Sequence, residues 1–124
     1  MMNETSASVE APPAIQDYLK AFEARDLDRC TSFYADDAAI QFQFSRYGGR
    51  TSIATWHRER FDANLRVLRI EEVVVEDGSV TVDAVVASDR LAKWHFDSMS
   101  VRLIFEFQDD LIRELKCDLR ATPW

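Results

Sequence analysis

Apolar residues in the first third of the chain recur at intervals of three and four. Ile15, Tyr18, Leu19 and Phe22 form one stripe behind Pro12-Pro13, and the spacing predicts a helix from about Pro13 to Ala24, with proline tolerated in its first turn. Asp26 is placed to cap a second, short helix whose Leu27, Cys30, Phe33 and Tyr34 face inward before Asp36-Asp37 ends it. From Ala39 the period changes to two. Ile40, Phe42 and Phe44 point one way and Gln41, Gln43 and Ser45 the other, which predicts a half-buried strand. Tyr47-Gly48-Gly49 breaks that strand, and Thr51 or Ser52 caps a third helix carrying Ile53, Trp56, His57, Arg60 and Phe61 on one side.

The second half reads as strands. Val67 to Glu76 and Ser79 to Ser88 are rich in valine, and Asp77-Gly78 between them is a tight-hairpin signal. Met99, Val101, Leu103, Phe105 and Phe107 then alternate with Ser100, Arg102, Ile104 and Glu106, and Asp109-Asp110 turns the chain into a last strand at Leu111 to Leu119. The predicted order is helix, helix, strand, helix, then four strands. Residues 1–10 are small and polar without periodicity and read as a mobile tail, leaving 11–124 as the folded part.

A length of 124 residues fits one compact domain, and 47% hydrophobic with 30% charged residues is an ordinary globular composition. The formal net charge of −7 repels phosphate backbones and acidic lipid surfaces, so nucleic acid and membrane are excluded as partners. Cys30 and Cys117 lie far apart, no secretory apolar region follows Met1, and no apolar run approaches the roughly 20 residues of a membrane helix. A reduced, cytoplasmic protein is the expectation. Only His57 and His95 are available as imidazole ligands and neither sits in a spaced cluster with cysteine, so no metal site and no cofactor are expected.

The element order and several local stretches resemble the nuclear transport factor 2-like superfamily, in its SnoaL-like and ketosteroid-isomerase-like branches. The resemblance spans about Ile15 to Leu119. It is carried by Ile15-Gln-Asp-Tyr-Leu-Lys-Ala-Phe22, Arg25-Asp-Leu-Asp28, Phe33-Tyr-Ala-Asp-Asp-Ala38, Gly48-Gly-Arg-Thr-Ser-Ile53 and Phe105-Glu-Phe-Gln-Asp-Asp-Leu-Ile112. It implies an α+β cone of cystatin-like type: a curved antiparallel sheet wrapped around about three N-terminal helices, enclosing a pocket. It also implies a homodimer through the sheet's outer face, where Arg102, Ile104, Glu106, Val85 and Ala87 are expected. Fold alone does not give function.

In ketosteroid isomerases a tyrosine on the first helix holds the developing oxyanion, and Tyr18 falls on that position. By the same resemblance the base and the acid fall on Phe42 and Leu103, neither of which can move a proton, so steroid-isomerase chemistry is not expected. The correspondence places Ile40, Phe42 and Phe44 inside the cone. Counting back by twos from Leu103 adds Val101, Met99, Asp97 and His95, if no bulge intervenes. A carboxylate beside an imidazole fixes its tautomer and suits acid–base work near neutrality, so Tyr18, His95 and Asp97 form the candidate catalytic set. Phe22, Tyr34, Trp56, His57 and Trp94 complete the expected lining. Two readings stand: a cofactor-independent lyase or isomerase acting on a small apolar organic substrate, and a non-catalytic binding protein sharing the same cone. A titratable group facing the cavity distinguishes them.

Overall fold

The computed structural model of the chain describes residues 6–8 and 11–120. The elements run β1 (Ser6–Ser8), α1 (Pro13–Glu23), α2 (Leu27–Ser32), β2 (Tyr34–Phe42), β3 (Ser45–Gly48), α3 (Gly49–Asp62), β4 (Arg66–Glu76), β5 (Ser79–Ala87), α4 (Asp89–Lys93), β6 (Met99–Gln108) and β7 (Leu111–Arg120). One sheet contains every strand, in the order β1-β4-β5-β6-β7-β2-β3. All neighbours are antiparallel except β2 and β7, which run parallel, so the sheet is mixed where a wholly antiparallel one was expected. Register shifts at Leu68 and Glu71 in β4 and at Arg113 in β7, opposite Glu106 and Phe107, bend these long strands. An extra residue at such a point kinks and twists a strand, which curls the sheet around the helices into the α+β cone.

Local chemistry explains the element ends. Pro13 opens α1 where its missing N–H costs nothing, and the Asp26 carboxylate accepts from the Arg29 N–H at 3.2 Å to cap α2. Gly78 at φ 80° closes the β4–β5 hairpin, and Asp109 and Asp110, at φ 53° and 68°, close β6–β7 with Gln108 opposite Leu111. Two consecutive left-handed residues match the twist of the flanking strands.

The core is one cluster that joins Ile15 and Phe22 of α1 and Ile53 and Trp56 of α3 to Val73, Val82, Phe105 and Leu115 of the sheet. On the outer face Asp83 accepts from Arg102 through both oxygens, at 2.8 and 3.0 Å, and meets Arg120 at 3.1 Å. The Arg102 hydrogen bonds lower the Asp83 pKa. Among the described residues no helix is long and apolar enough to cross a membrane.

Several boundaries differ from the sequence reading. Helix α2 stops at Ser32, and Tyr34 opens β2, five residues before the expected strand start. Strand β2 ends at Phe42, because Gln43 adopts φ 55° and turns the chain into β3. Helix α3 begins at Gly49, ahead of Thr51 and Ser52. Val85 and Ala87 do face away from the core, but they are already covered within the single chain. Among the expected outward residues this leaves Ile104 as the half-exposed apolar one, between Arg102 and Glu106. Of the expected tail over residues 1–10, Ser6–Ser8 run as a strand beside Val73–Val75, and the other positions lie outside the described residues.

Replacing Asp109-Asp110 by Asn-Gly should raise stability by about 0.5–1 kcal/mol, since both positions hold left-handed backbone that Asn and Gly adopt at lower cost. Urea denaturation of the double variant measures it.

Candidate functional site

Three aromatic side chains from three different elements meet in the core. The Tyr18 hydroxyl of α1 lies 2.7 Å from the Tyr34 hydroxyl of β2 and 2.7 Å from His57 Nε2 of α3, while His57 Nδ1 lies 2.8 Å from the Ile53 carbonyl. All three residues are buried, with His57 at 0% exposure. The carbonyl can only accept, so Nδ1 carries the proton and Nε2 of the neutral ring is an acceptor. Tyr18 therefore donates to Nε2, and Tyr34 donates to Tyr18. Every proton in the chain has a direction.

This arrangement leaves Tyr18, Tyr34 and His57 all uncharged near neutral pH. Burial pushes the His57 pKa from 6.5 down to about 4, so the ring is neutral at pH 7. Burial likewise raises Tyr18 and Tyr34 well above the ordinary tyrosine value, Tyr18 further through its Tyr34 neighbour. The Tyr18 hydroxyl has one proton and directs it at His57 Nε2. It is not left to hold an oxyanion, as the resemblance to ketosteroid isomerases implied.

Beside this chain, between α1, α3 and the concave sheet face, lies a cavity of about 270 Å³. Its walls come from Phe22 and the Tyr18 ring on α1, Trp56 on α3, Phe42 on β2, and Met99, Val101 and Leu103 on β6. The alternation expected along β6 holds from Leu103 back to Met99, where the strand begins. Cys117 also borders the cavity, and burial pushes its thiol up to about 12, so it is no thiolate near neutrality. Two cations, Arg60 and Arg90, line the space, whereas no carboxylate or imidazole does so among the described residues.

The structure thus brings together six of the expected lining residues, Phe22, Phe42, Trp56, Met99, Val101 and Leu103, and it separates the others. Tyr34, Ile40 and His57 are fully buried in the core behind the cavity wall. Phe44 sits at the tip of the β2–β3 turn, fully exposed, since the strand that was to carry it inward has already ended. Trp94 is 72% exposed after α4. His95 and Asp97 are exposed too, because Ser88 caps a short helix at Asp89–Lys93 and His95 then takes φ 66°, which breaks the parity counted back from Leu103. Tyr18, His95 and Asp97 do not converge.

Arg60 is the residue that sequence reasoning passed over. It shares a helical face with Ile53, Trp56 and His57, but stands in Arg58-Glu59-Arg60, which reads as a solvated run. Its side chain is only 13% exposed. The guanidinium lies over the Phe42 ring at 4.7 Å and the Trp56 ring at 5.1 Å. Among the described residues no group of three His, Cys, Asp or Glu is placed to hold a metal ion.

Urea denaturation of three variants checks the polar chain. Tyr18→Phe should cost about 2–4 kcal/mol, because it strands both His57 Nε2 and the Tyr34 hydroxyl. Tyr34→Phe removes only the terminal donor and should cost about 0.5–1.5 kcal/mol. His57 gives a pH signature. With a folded pKa of about 4 against 6.5 unfolded, its contribution is complete above pH 6.5 and is lost as pH falls toward 4. The separation corresponds to about 3 kcal/mol. Urea melts of the protein and of His57→Gln should therefore converge in stability between neutral pH and about pH 4.

Residues 15–115 match the SnoaL-like domain model. No curated protein matches the chain. Among solved structures, a candidate polyketide cyclase from Sinorhizobium meliloti shares 20% identity over 87% of this chain and 95% of its own, with a TM-score of 0.76. A protein from Sphaerobacter thermophilus shares 21% over 93% of this chain and 100% of its own, with a TM-score of 0.77. A candidate ketosteroid isomerase from Kribbella flavida shares 14% over 90% of this chain and 78% of its own, with a TM-score of 0.69. At these identities the structures share the fold. The family model covers most of the chain, and with the cone, its helices and its cavity in place, the protein belongs to the SnoaL-like domain family.

Proposed function

We propose that the cone binds a small, largely apolar organic molecule and acts as a binding protein, not as an acid–base catalyst. The observation that carries this reading is the make-up of the cavity: about 270 Å³ walled by aromatic and aliphatic side chains, with neither carboxylate nor imidazole among its described lining residues. Taking a proton from carbon near neutral pH needs a positioned base of suitable pKa. Tyr18 and Cys117 are held protonated by burial, and an arginine is no base. The lyase or isomerase reading would need His95 and Asp97 at the cavity, and both side chains are exposed on the segment after α4. The solved neighbours described as a polyketide cyclase and a ketosteroid isomerase support a pocket fold and lend no catalytic residue at their 20% and 14% identity.

Size narrows the occupant. Sites for drug-sized ligands measure about 300–1,000 Å³, so a cavity of about 270 Å³ suits one or two fused rings better than a four-ring steroid. Burying about 200 Å² of aromatic surface at about 25 cal/mol per Å² gives about 5 kcal/mol, a Kd of about 0.1–1 mM for an apolar body alone.

Equilibrium dialysis with 2-methylnaphthalene should show binding in that range. Leu103→Trp, which fills the cavity from β6, should weaken it at least about tenfold while the variant still melts cooperatively. Absence of binding, or binding untouched by Leu103→Trp, would overturn the reading.

A further inference from the structure

Two hydrogen-bond donors on α3 are buried without an acceptor among the described residues: Trp56 Nε1 and Arg60 Nη1. They stand four residues apart, so they share one helical face, and both side chains line the cavity. The Arg60 guanidinium carbon lies 4.7 Å from the Phe42 ring centre and 5.1 Å from that of Trp56, contacts that supply no hydrogen-bond acceptor to Nη1. Its carboxylate contact, Glu59 Oε1 at 3.4 Å, is with Nη2 and leaves Nη1 unmatched. A buried donor without a partner is costly, and a buried guanidinium more so, unless something in the site answers it.

Charge points the same way. The protein carries a net charge of −7, yet the ionised side chains bordering its cavity are Arg60 and Arg90. Burial, and to a lesser degree the Arg90 charge, destabilises the Arg60 cation, which guanidinium chemistry nevertheless keeps protonated. An acceptor carrying negative charge relieves all of these costs at once, whereas a cation or a pure hydrocarbon relieves none.

Building on the apolar-ligand reading above, we propose that the occupant is an ionised aromatic carboxylic acid, its ring system against Phe22, Leu103 and Val101 and its carboxylate accepting from Arg60 Nη1 and Trp56 Nε1. Arg90, exposed at the border of the cavity, adds attraction for the anion. One buried guanidinium matches one negative charge, which favours a monocarboxylate over a phosphate ester. The apolar walls supply affinity and the two donors supply orientation.

The test compares 2-naphthoate with 2-methylnaphthalene, which share a ring system and differ in the charged acceptor, by equilibrium dialysis against the full chain at pH 7.5. The protein should prefer 2-naphthoate by at least about tenfold, the scale of a charge-assisted hydrogen bond. Arg60→Met, which keeps the stem and removes the charge, should bring the ratio close to one. Trp56→Phe, which keeps a ring and removes one donor, should lower the ratio by about two- to fivefold. If Arg60→Met does not fold, the ratio for the unaltered protein and the Trp56→Phe change decide the matter. Equal or weaker binding of 2-naphthoate by the unaltered protein, or a preference untouched by both variants, overturns the carboxylate assignment and leaves apolar binding standing. Failure of both probes to bind overturns both readings.

Discussion

The direction of a single buried hydrogen bond organises the centre of this protein. The Ile53 carbonyl accepts the Nδ1 proton of His57, and from that contact the states of Tyr18 and Tyr34 follow in turn. Three elements far apart in sequence are tied at one polar line inside an apolar core, where every partner is matched and none is charged. Such a network holds α1 and α3 at a defined setting against β2, because any slip between them would strand a polar atom in a medium without water. It also settles a chemical question: a tyrosine whose one O–H is already directed at a histidine nitrogen has no donor left for a ligand.

The cavity then depends on what surrounds that line. Bulges in β4 and at the β6–β7 pairing curl the sheet, and the inward residues of β6 form its wall from Met99 through Leu103. Trp56, His57 and Arg60 leave the same side of α3 and divide the labour. His57 turns into the core and closes the polar line, while Trp56 and Arg60 border the cavity and keep unmatched donors there. A satisfied core and a pocket wall with unmatched donors thus stand within one turn of helix.

Much of the scaffold was legible in the residues. The three- and four-residue spacing of Ile15, Tyr18, Leu19 and Phe22 is the buried stripe of α1, Asp26 does cap α2, and the turns at Asp77-Gly78 and Asp109-Asp110 fall where expected. The site was legible in half. Phe22, Phe42, Trp56, Met99, Val101 and Leu103 border the cavity because period and parity are local properties of an intact strand or helix. Parity fails wherever the backbone takes a left-handed step. Gln43 takes one and sends Phe44 to solvent; His95 takes another, after an unforeseen helix, and Asp97 and Trp94 are left outside with it.

By itself, then, the order of residues determined the helical stripes, the strand alternation, the hairpin turns and the family cone, since each is written in near neighbours. Only the tertiary structure decided that β2 lies parallel to β7, that His57 is a neutral core residue, and that Arg60, standing in a run of charges, turns inward over two aromatic rings. The physical reason is the same in each case. Pairing, desolvation and the match of a donor to an acceptor depend on atoms brought from distant parts of the chain, and a local pattern carries no record of which atoms those are.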